Sequence, residues 1–427
     1  MSEKKSYAVP IFMMILLFGM IAFVTNLAAP MGVVVKQQFQ ASNFLGMLGN
    51  FANFAAYAVM GIPSGKLLAR IGYKKTALLA IVVGFVGVLI QLLSGVLGSF
   101  VVYLTGAFVA GFSMTMLNTV VNPMLNTLGG GGKKGNQLIQ VGGSFNSLMA
   151  TLVPMMVGAL IGEVTKTTAI SDVAPVMYIA LGIFALVGLV LYFVNIPEPH
   201  VVKDKVAVIS QYSAWSFRHF ILGAIGIFVY VGVEVGVPGT LMLFLADANA
   251  GGLAAATAGF VAGTYWFLML VGRFAGVYIA GKVSSKSMLI AASAVGMVLI
   301  FLAIVSPTST AVNIPVVQST ATGGIGFGLT SVPINAMFLV LVGLCTSVMW
   351  GGIFNLAVEG LGKFVAPASG IFMTMVVGGG ILPLVQNFVA DKANFMVSYW
   401  VPFFGLAYLL YYALIGSKNV NKDIPVD

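Results

Sequence analysis

Runs of ~20 apolar residues, the length of helix that crosses a bilayer, recur along the whole chain with short polar breaks between them. Twelve are predicted, at residues 8–34, 43–68, 76–96, 100–127, 137–162, 173–195, 217–246, 253–281, 286–306, 333–356, 366–390 and 396–416. Each is expected to be α-helical, because hydrocarbon offers no water to a backbone N–H or C=O. Met1 to Tyr7 carries two lysines and leads straight into the first run. That run is too long for a signal-peptide core and shows no clear cleavage site, so it reads as a membrane helix.

The polar breaks divide the chain in two. Ile196 to Ser216, containing PEPHVVKDKV, separates spans one to six from spans seven to twelve. Asn26 in span one is followed four residues on by Pro30, and Glu234 in span seven by Pro238. GIPSGKLLARIGYKK after span two is echoed by GRFAGVYIAGKVSSK after span eight. Both end a helix in Gly-x-x-x-Gly, with Lys75 or Lys286 ten residues past the second glycine. Pro154 in span five is matched by Pro383 in span eleven. The expected organisation is a six-helix half over 1–195, a linker over 196–216 and a second half over 217–427. Such a repeat places a substrate site near the bilayer midplane, between the halves.

Composition removes the soluble alternatives. With 59% hydrophobic and 7% charged residues among 427, and a mean hydropathy of +1.05, the chain is neither disordered nor an ordinary soluble domain. The net charge of +9 and pI near 9.5 would suit a nucleic-acid binder, so the placement of the charge decides. With a cytoplasmic N-terminus, only Lys36, Lys166 and Lys392 of the 20 lysines and arginines fall outside. That is the positive-inside rule, so both termini are expected in the cytoplasm and nucleic acid is not expected as a partner. Cys345 is the one cysteine, and His200 and His219 have no metal-ligand spacing. No disulfide, metal or cofactor is expected.

The loop GKLLARIGYKK resembles the motif Gly-x-x-x-Asp-Arg-x-Gly-Arg-Lys-Lys of the major facilitator superfamily. Gly65, Arg70, Gly72, Lys74 and Lys75 match, with Ala69 in place of the aspartate and Tyr73 in place of a basic residue. NTVVNPMLNTLG, followed by NQLIQVGGSFNSLMATLVP, resembles the fucose–galactose–glucose:proton symporters. There a span-four Asn-Pro precedes a short Leu-Gly turn and a span-five Ser/Thr-Phe-Asn. Asn122-Pro123, Leu128-Gly129 and Ser144-Phe145-Asn146 fit. FVYVGVEVGVPG, TYWFLMLVGRFAG, MWGGIFNLAVEGLGK and ILPLVQNFVAD look like that family's later segments. The resemblance implies an all-α membrane protein with twelve helices in two pseudo-symmetric six-helix halves. It also implies sugar transport. Proton-coupled members carry an aspartate where Asn26 stands and a glutamate where Asn118 stands.

Candidate chemistry follows from polar residues inside the spans. Asn118, Asn122 and Asn126 are spaced to share one face of span four. An amide turned to hydrocarbon would lose its hydrogen bonds, so this face must look into the protein. It serves either helix–helix contact or a polar cavity shared with Asn26, and the stripe favours the cavity. Asn50, Asn53 and Tyr57 on span two carry the same two readings. Glu234 lies deep in span seven and marks an ion pathway or a buried pair. Arg273, two turns from the end of span eight, is expected to extend its stem to the cytoplasmic interface. Tyr265, Trp266 and Trp350 sit inside spans, where an aromatic face can cover the apolar side of a sugar ring.

Asn26, Asn118, Asn122, Asn146, Tyr230, Tyr265, Trp350 and Gln386 are the expected substrate-binding residues, and Glu234 is the expected proton carrier. Amides bond hydroxyls without needing charge, which suits a small neutral monosaccharide. The expected protein is a monomeric, multi-pass transporter of the bacterial inner membrane. Facilitated diffusion, a sodium site in place of the proton, and a multidrug exporter of the same fold stay open. An enzyme lacks support, since no nucleophile–base pair is evident.

Overall fold

The computed structural model describes residues 7–38, 42–129, 132–161, 169–198, 212–280, 282–319, 325–421 and 423–426. Lys166, His200 and the side chains of Asn126 and Pro154 lie outside the described residues. Helices occupy all twelve expected runs. Spans one to six are Ala8–Gln38, Asn43–Gly46 continued by Leu48–Ile71, Tyr73–Leu97, Phe100–Leu128, Gly132–Ile161 and Ala174–Phe193. Spans seven to nine are Arg218–Ala246, Ala255–Ala280 and Ser285–Val305. Span ten joins Ile334–Thr346 to Met349–Val358, span eleven Val365–Met375 to Gly378–Lys392, and span twelve Phe395–Ser398 to Trp400–Tyr411.

Ten spans have the length and hydropathy of a bilayer crossing among the described residues, and span five contributes the shorter apolar helix Leu138–Val153. The two more polar spans, two and five, make most of the contact with the other half. Span five lies along span eight, and span two along span eleven. Glycines make the second contact close: a Cβ at Gly61 would meet Thr374 Oγ1 at 2.4 Å, and Gly380 lies against Phe51 and Phe54. The Asn50 amide donates to the Gly379 carbonyl at 2.9 Å, so this residue joins the halves.

Helices one and seven run on through Pro30 and Pro238. The interruptions fall instead at Met47, Ser347–Val348, Val376–Val377 and Tyr399. In span eleven the interruption precedes Gly378, where a Cβ would stand 1.8 Å from the Phe228 carbonyl oxygen of span seven.

At the end of the bundle opposite the chain termini, side chains cross between the halves. Lys36 Nζ lies 2.8 Å from Asn43 Oδ1 and 3.2 Å from Asp247 Oδ2. The Asp391 carboxylate accepts from the N–H groups of Asn43 and Phe44 at 3.2 and 3.0 Å, and from Asn43 Nδ2 at 2.8 Å. The lysine-free connection 307–332 holds an antiparallel hairpin, β1 (Ala311–Ser319) and β2 (Ile325–Pro333). Its β-branched residues point Ile314, Val316 and Val332 inward, and the Val317 N–H donates to Thr264 Oγ1 of span eight at 3.3 Å.

At the termini end, the loop between spans two and three is served by a carboxylate from another place than position 69. Glu198, just past span six, accepts from the N–H groups of Tyr73 and Lys74 at 2.6 and 3.0 Å. Gly72 sits at φ 85°, ψ 174°, a conformation open essentially to glycine, and a Cβ there would meet Glu198 Oε2 at 2.6 Å. Gly72→Ala should therefore cost about 1–3 kcal/mol. The check is a thermal melt of the purified protein in detergent, where an unchanged midpoint would contradict this account.

Candidate functional site

The polar residues gather into three groups along the interior. In the first half, Asn118 Nδ2 donates to the Tyr57 hydroxyl at 2.8 Å and to the Met114 carbonyl at 3.2 Å. Asn122 Nδ2 donates to the Asn118 carbonyl at 2.9 Å, so the expected stripe on span four is real and continuous over these two residues. Asn26 Nδ2 donates to the Ala22 carbonyl one turn back, at 2.9 Å. Asn146 Nδ2 crosses from span five to the Phe18 carbonyl of span one at 3.1 Å. All four amides keep some exposed surface. Each thus spends an N–H on a carbonyl while part of the side chain stays accessible.

In the second half, Tyr230, one turn before Glu234 on span seven, is fully buried, and its hydroxyl has no hydrogen-bond partner among the described residues. The ring of Tyr230 lies 6.2 Å from that of Trp350, at the start of the second piece of span ten. Tyr265 is fully buried, and its hydroxyl is 2.9 Å from Thr346 Oγ1. Its polar end is therefore committed to span ten.

Arg273 departs from expectation. It was placed at the interface by its distance from the helix end, but it turns inward. Its Nη2 lies 3.4 Å from Glu234 Oε1, and its Nη1 donates to the Gly143 carbonyl of span five. The physical reason is the buried carboxylate, which needs an opposite charge more than the arginine needs water. Glu234 is thus both deep and paired. The arginine was visible in the sequence, but its partner was not: only the adjacent glycines of QVGGSFN mark room on span five, and glycines have many uses.

The third group is on span eleven. Gln386 is 1% exposed, and its Nε2 has no hydrogen-bond partner among the described residues. A Cβ at Gly236, two residues beyond Glu234, would stand 2.6 Å from Gln386 Oε1. The neighbouring Asn387 donates to Thr240 Oγ1 at 3.0 Å and to the Pro383 carbonyl at 2.9 Å. One amide fastens spans, and the other presents an unspent donor. Gln386→Leu should consequently leave the melting temperature unchanged or raised, whereas Asn387→Leu should cost on the order of 1–3 kcal/mol. Equal destabilisation by both would show Gln386 to be a packing residue.

Twelve helical spans in two halves, with amides and an ion pair held inside the bundle, are the architecture of membrane transporters that expose an internal site to either side in turn. The chain belongs to the Major Facilitator Superfamily, whose family model matches residues 11–383. It is similar to the glucose/galactose transporter of Brucella abortus biovar 1 (strain 9-941), with 32% identity over 424 residues, covering 98% of this chain and 96% of the relative. The L-fucose-proton symporter of Escherichia coli (strain K12) is 22% identical over 444 residues, covering 98% and 96%. Among solved structures, the crystal structure of an MFS transporter, FucP, in the outward conformation superposes with a TM-score of 0.73. It is 20% identical and covers 97% of this chain and 100% of that one, which establishes the fold. The family is one of transporters, not enzymes.

Proposed function

We propose that the chain moves a neutral monosaccharide, a hexose or deoxyhexose, across the bacterial cytoplasmic membrane by alternating access, coupled to protons at Glu234. It works as a monomer in the lipid bilayer with both termini in the cytoplasm. Residues 1–195 and 217–427 are the two moving halves, joined by the 196–216 linker. The observation that carries the reading is the chain-long identity of 32% to a protein named a glucose/galactose transporter. The L-fucose-proton symporter among the relatives supports the coupling.

The site chemistry agrees with this substrate class. Asn118, Asn122, Asn146 and Gln386 offer neutral donors and acceptors to hydroxyls, and Trp350, packed beside the buried ring of Tyr230, offers an aromatic surface. An exporter of organic cations would meet Glu234 already paired with Arg273. Uniport is the second reading, favoured by the amides at Asn26 and Asn118, which cannot titrate. A sodium ion held by amide and backbone oxygens is a lesser alternative to the proton.

Two measurements on proteoliposomes test the proposal. Asn122→Ala and Asn146→Ala should each weaken sugar binding by on the order of 1–3 kcal/mol, by stranding a hydroxyl or its partner. Normal affinity in folded variants would return these residues to helix contact. Glu234→Gln should keep sugar counterflow and lose pH-driven accumulation, since an amide of the same shape cannot carry a proton. If the parent protein never accumulates sugar against a gradient, the protein is a uniporter.

A further inference from the structure

Ala256, Phe260, Phe267, Val271, Phe274 and Tyr278 recur at helical spacing on one face of span eight. Their exposure changes partway along the helix. Val271, Phe274 and Tyr278 are exposed, as an apolar stripe meeting lipid would be, whereas Ala256, Phe260 and Phe267 are half-buried. The change falls where the hairpin between spans nine and ten covers the helix. The Val317 N–H donates to Thr264 Oγ1 at 3.3 Å, and the ring of Phe327, opposite Val317 in the register, lies 5.3 Å from that of Phe267.

Two separate lengths place this contact deep. Thr264 and Phe267 lie nine and twelve residues past Ala255, the first residue of span eight, or ~13 and ~18 Å at the rise of an α-helix. The Val317–Phe327 pair lies six residues past the Ala311–Pro333 pair at the base of the hairpin, or ~20 Å at the rise of a strand. That base is pinned to the start of span ten, where the Ile334 N–H donates to the Thr310 carbonyl at 2.8 Å. A hydrocarbon core is ~30 Å thick, so both lengths carry the strands toward its middle.

We propose that the hairpin is re-entrant: it descends into the bilayer along span eight, and its outer face is an interaction surface for lipid acyl chains. The composition of that face follows depth. Exposed Asn313 and Ser331 pair near the base, then Pro315 and Leu329, and Phe327 lies farthest in. Leu329 is 74% and Phe327 66% exposed, continuing on the hairpin the lipid-facing stripe that Val271 takes up on the helix. Residues 307–332 include no charged side chain, which hydrocarbon requires and water does not.

The backbone of β1 suits the same setting. A strand edge in hydrocarbon has no water for its donors, so each must be spent or absent. On the edge turned to span eight, Val317 spends its N–H on Thr264. Pro315, whose nitrogen points the same way two residues earlier, has none to spend. β1 also touches span five, so the hairpin stands between lipid and the line where spans five and eight meet.

The test uses the full chain in proteoliposomes, in a Cys345→Ser background, with one nitroxide label at a time on Leu329→Cys, Asn313→Cys or Val271→Cys. Electron paramagnetic resonance then reads collisions with oxygen, which concentrates in hydrocarbon, and with a neutral nickel chelate, which stays in water. The ratio of oxygen to nickel collisions at Leu329→Cys should match that at Val271→Cys and exceed that at Asn313→Cys several-fold. A ratio at Leu329→Cys as low as at Asn313→Cys would place the hairpin in water and overturn the proposal. Rare collisions with both reagents would mean that a second copy of the chain covers the face, which overturns it too. Without any label, Leu329→Asp should melt below the parent in the bilayer, while Asn313→Asp should melt with it. Parental melting of Leu329→Asp would also count against a face in lipid.

Discussion

A charge inside a bilayer bundle must find its partner within the protein, and that constraint decides where the polar residues of this chain sit. Glu234 is deep in span seven, so the nearest long cation, Arg273, is drawn off the course its position in the helix suggests. Neutral amides obey a milder form of the same constraint. Asn26, Asn118, Asn122 and Asn146 each give an N–H to a carbonyl, three of them one turn back on their own helix. The backbone needs no help, since helices satisfy it within each span.

The amides show why helix contact and cavity lining are not exclusive. Asn118 is fastened to Tyr57, yet it keeps exposed surface beside Asn122. A side chain with two donors and one acceptor oxygen can hold a neighbour and still meet a ligand. Asn387 and Gln386 divide those duties between adjacent residues of span eleven, one giving its nitrogen to Thr240 of span seven and to the Pro383 carbonyl, the other with an unspent nitrogen.

The twelve spans were legible because a bilayer demands long apolar runs, a signal that survives without any knowledge of packing. The pairing of Asn26-Pro30 with Glu234-Pro238 and the two Gly-x-x-x-Gly segments made the halves visible for the same reason: they are local and ordered. The hairpin over 311–333 was missed because a membrane reading treats anything short of a span as loop, although its β-branched residues carry strand character. The direction of Arg273 and the use of Glu198 in place of a carboxylate at position 69 were beyond reach. Both depend on which helices lie side by side, at sequence separations of 39 and 125 residues. In the site, the residue types were readable, but the division of labour between Gln386 and Asn387 was not, since adjacent amides look alike in a sequence.

The two ion pairs among the described residues differ in a way that suits a protein whose halves must move. Lys36 and Asp247 belong to opposite halves, so the proposed movement of one half against the other would separate them, but they sit at an end of the bundle with 22% and 23% of their side chains exposed. Water can solvate both charges as they part, and such a pair is cheap to break. Glu234 and Arg273 are far more buried, where separating opposite charges would be expensive, and both lie in the second half. They can travel together. What crosses the boundary there is the bond from Arg273 to the neutral carbonyl of Gly143, which costs far less to break than a buried ion pair. With asparagine at 26 and 118, the first half carries neutral amides at those positions. The deep charges are thus confined to one moving body, and the contacts that must break in each cycle are either wet or uncharged on one side.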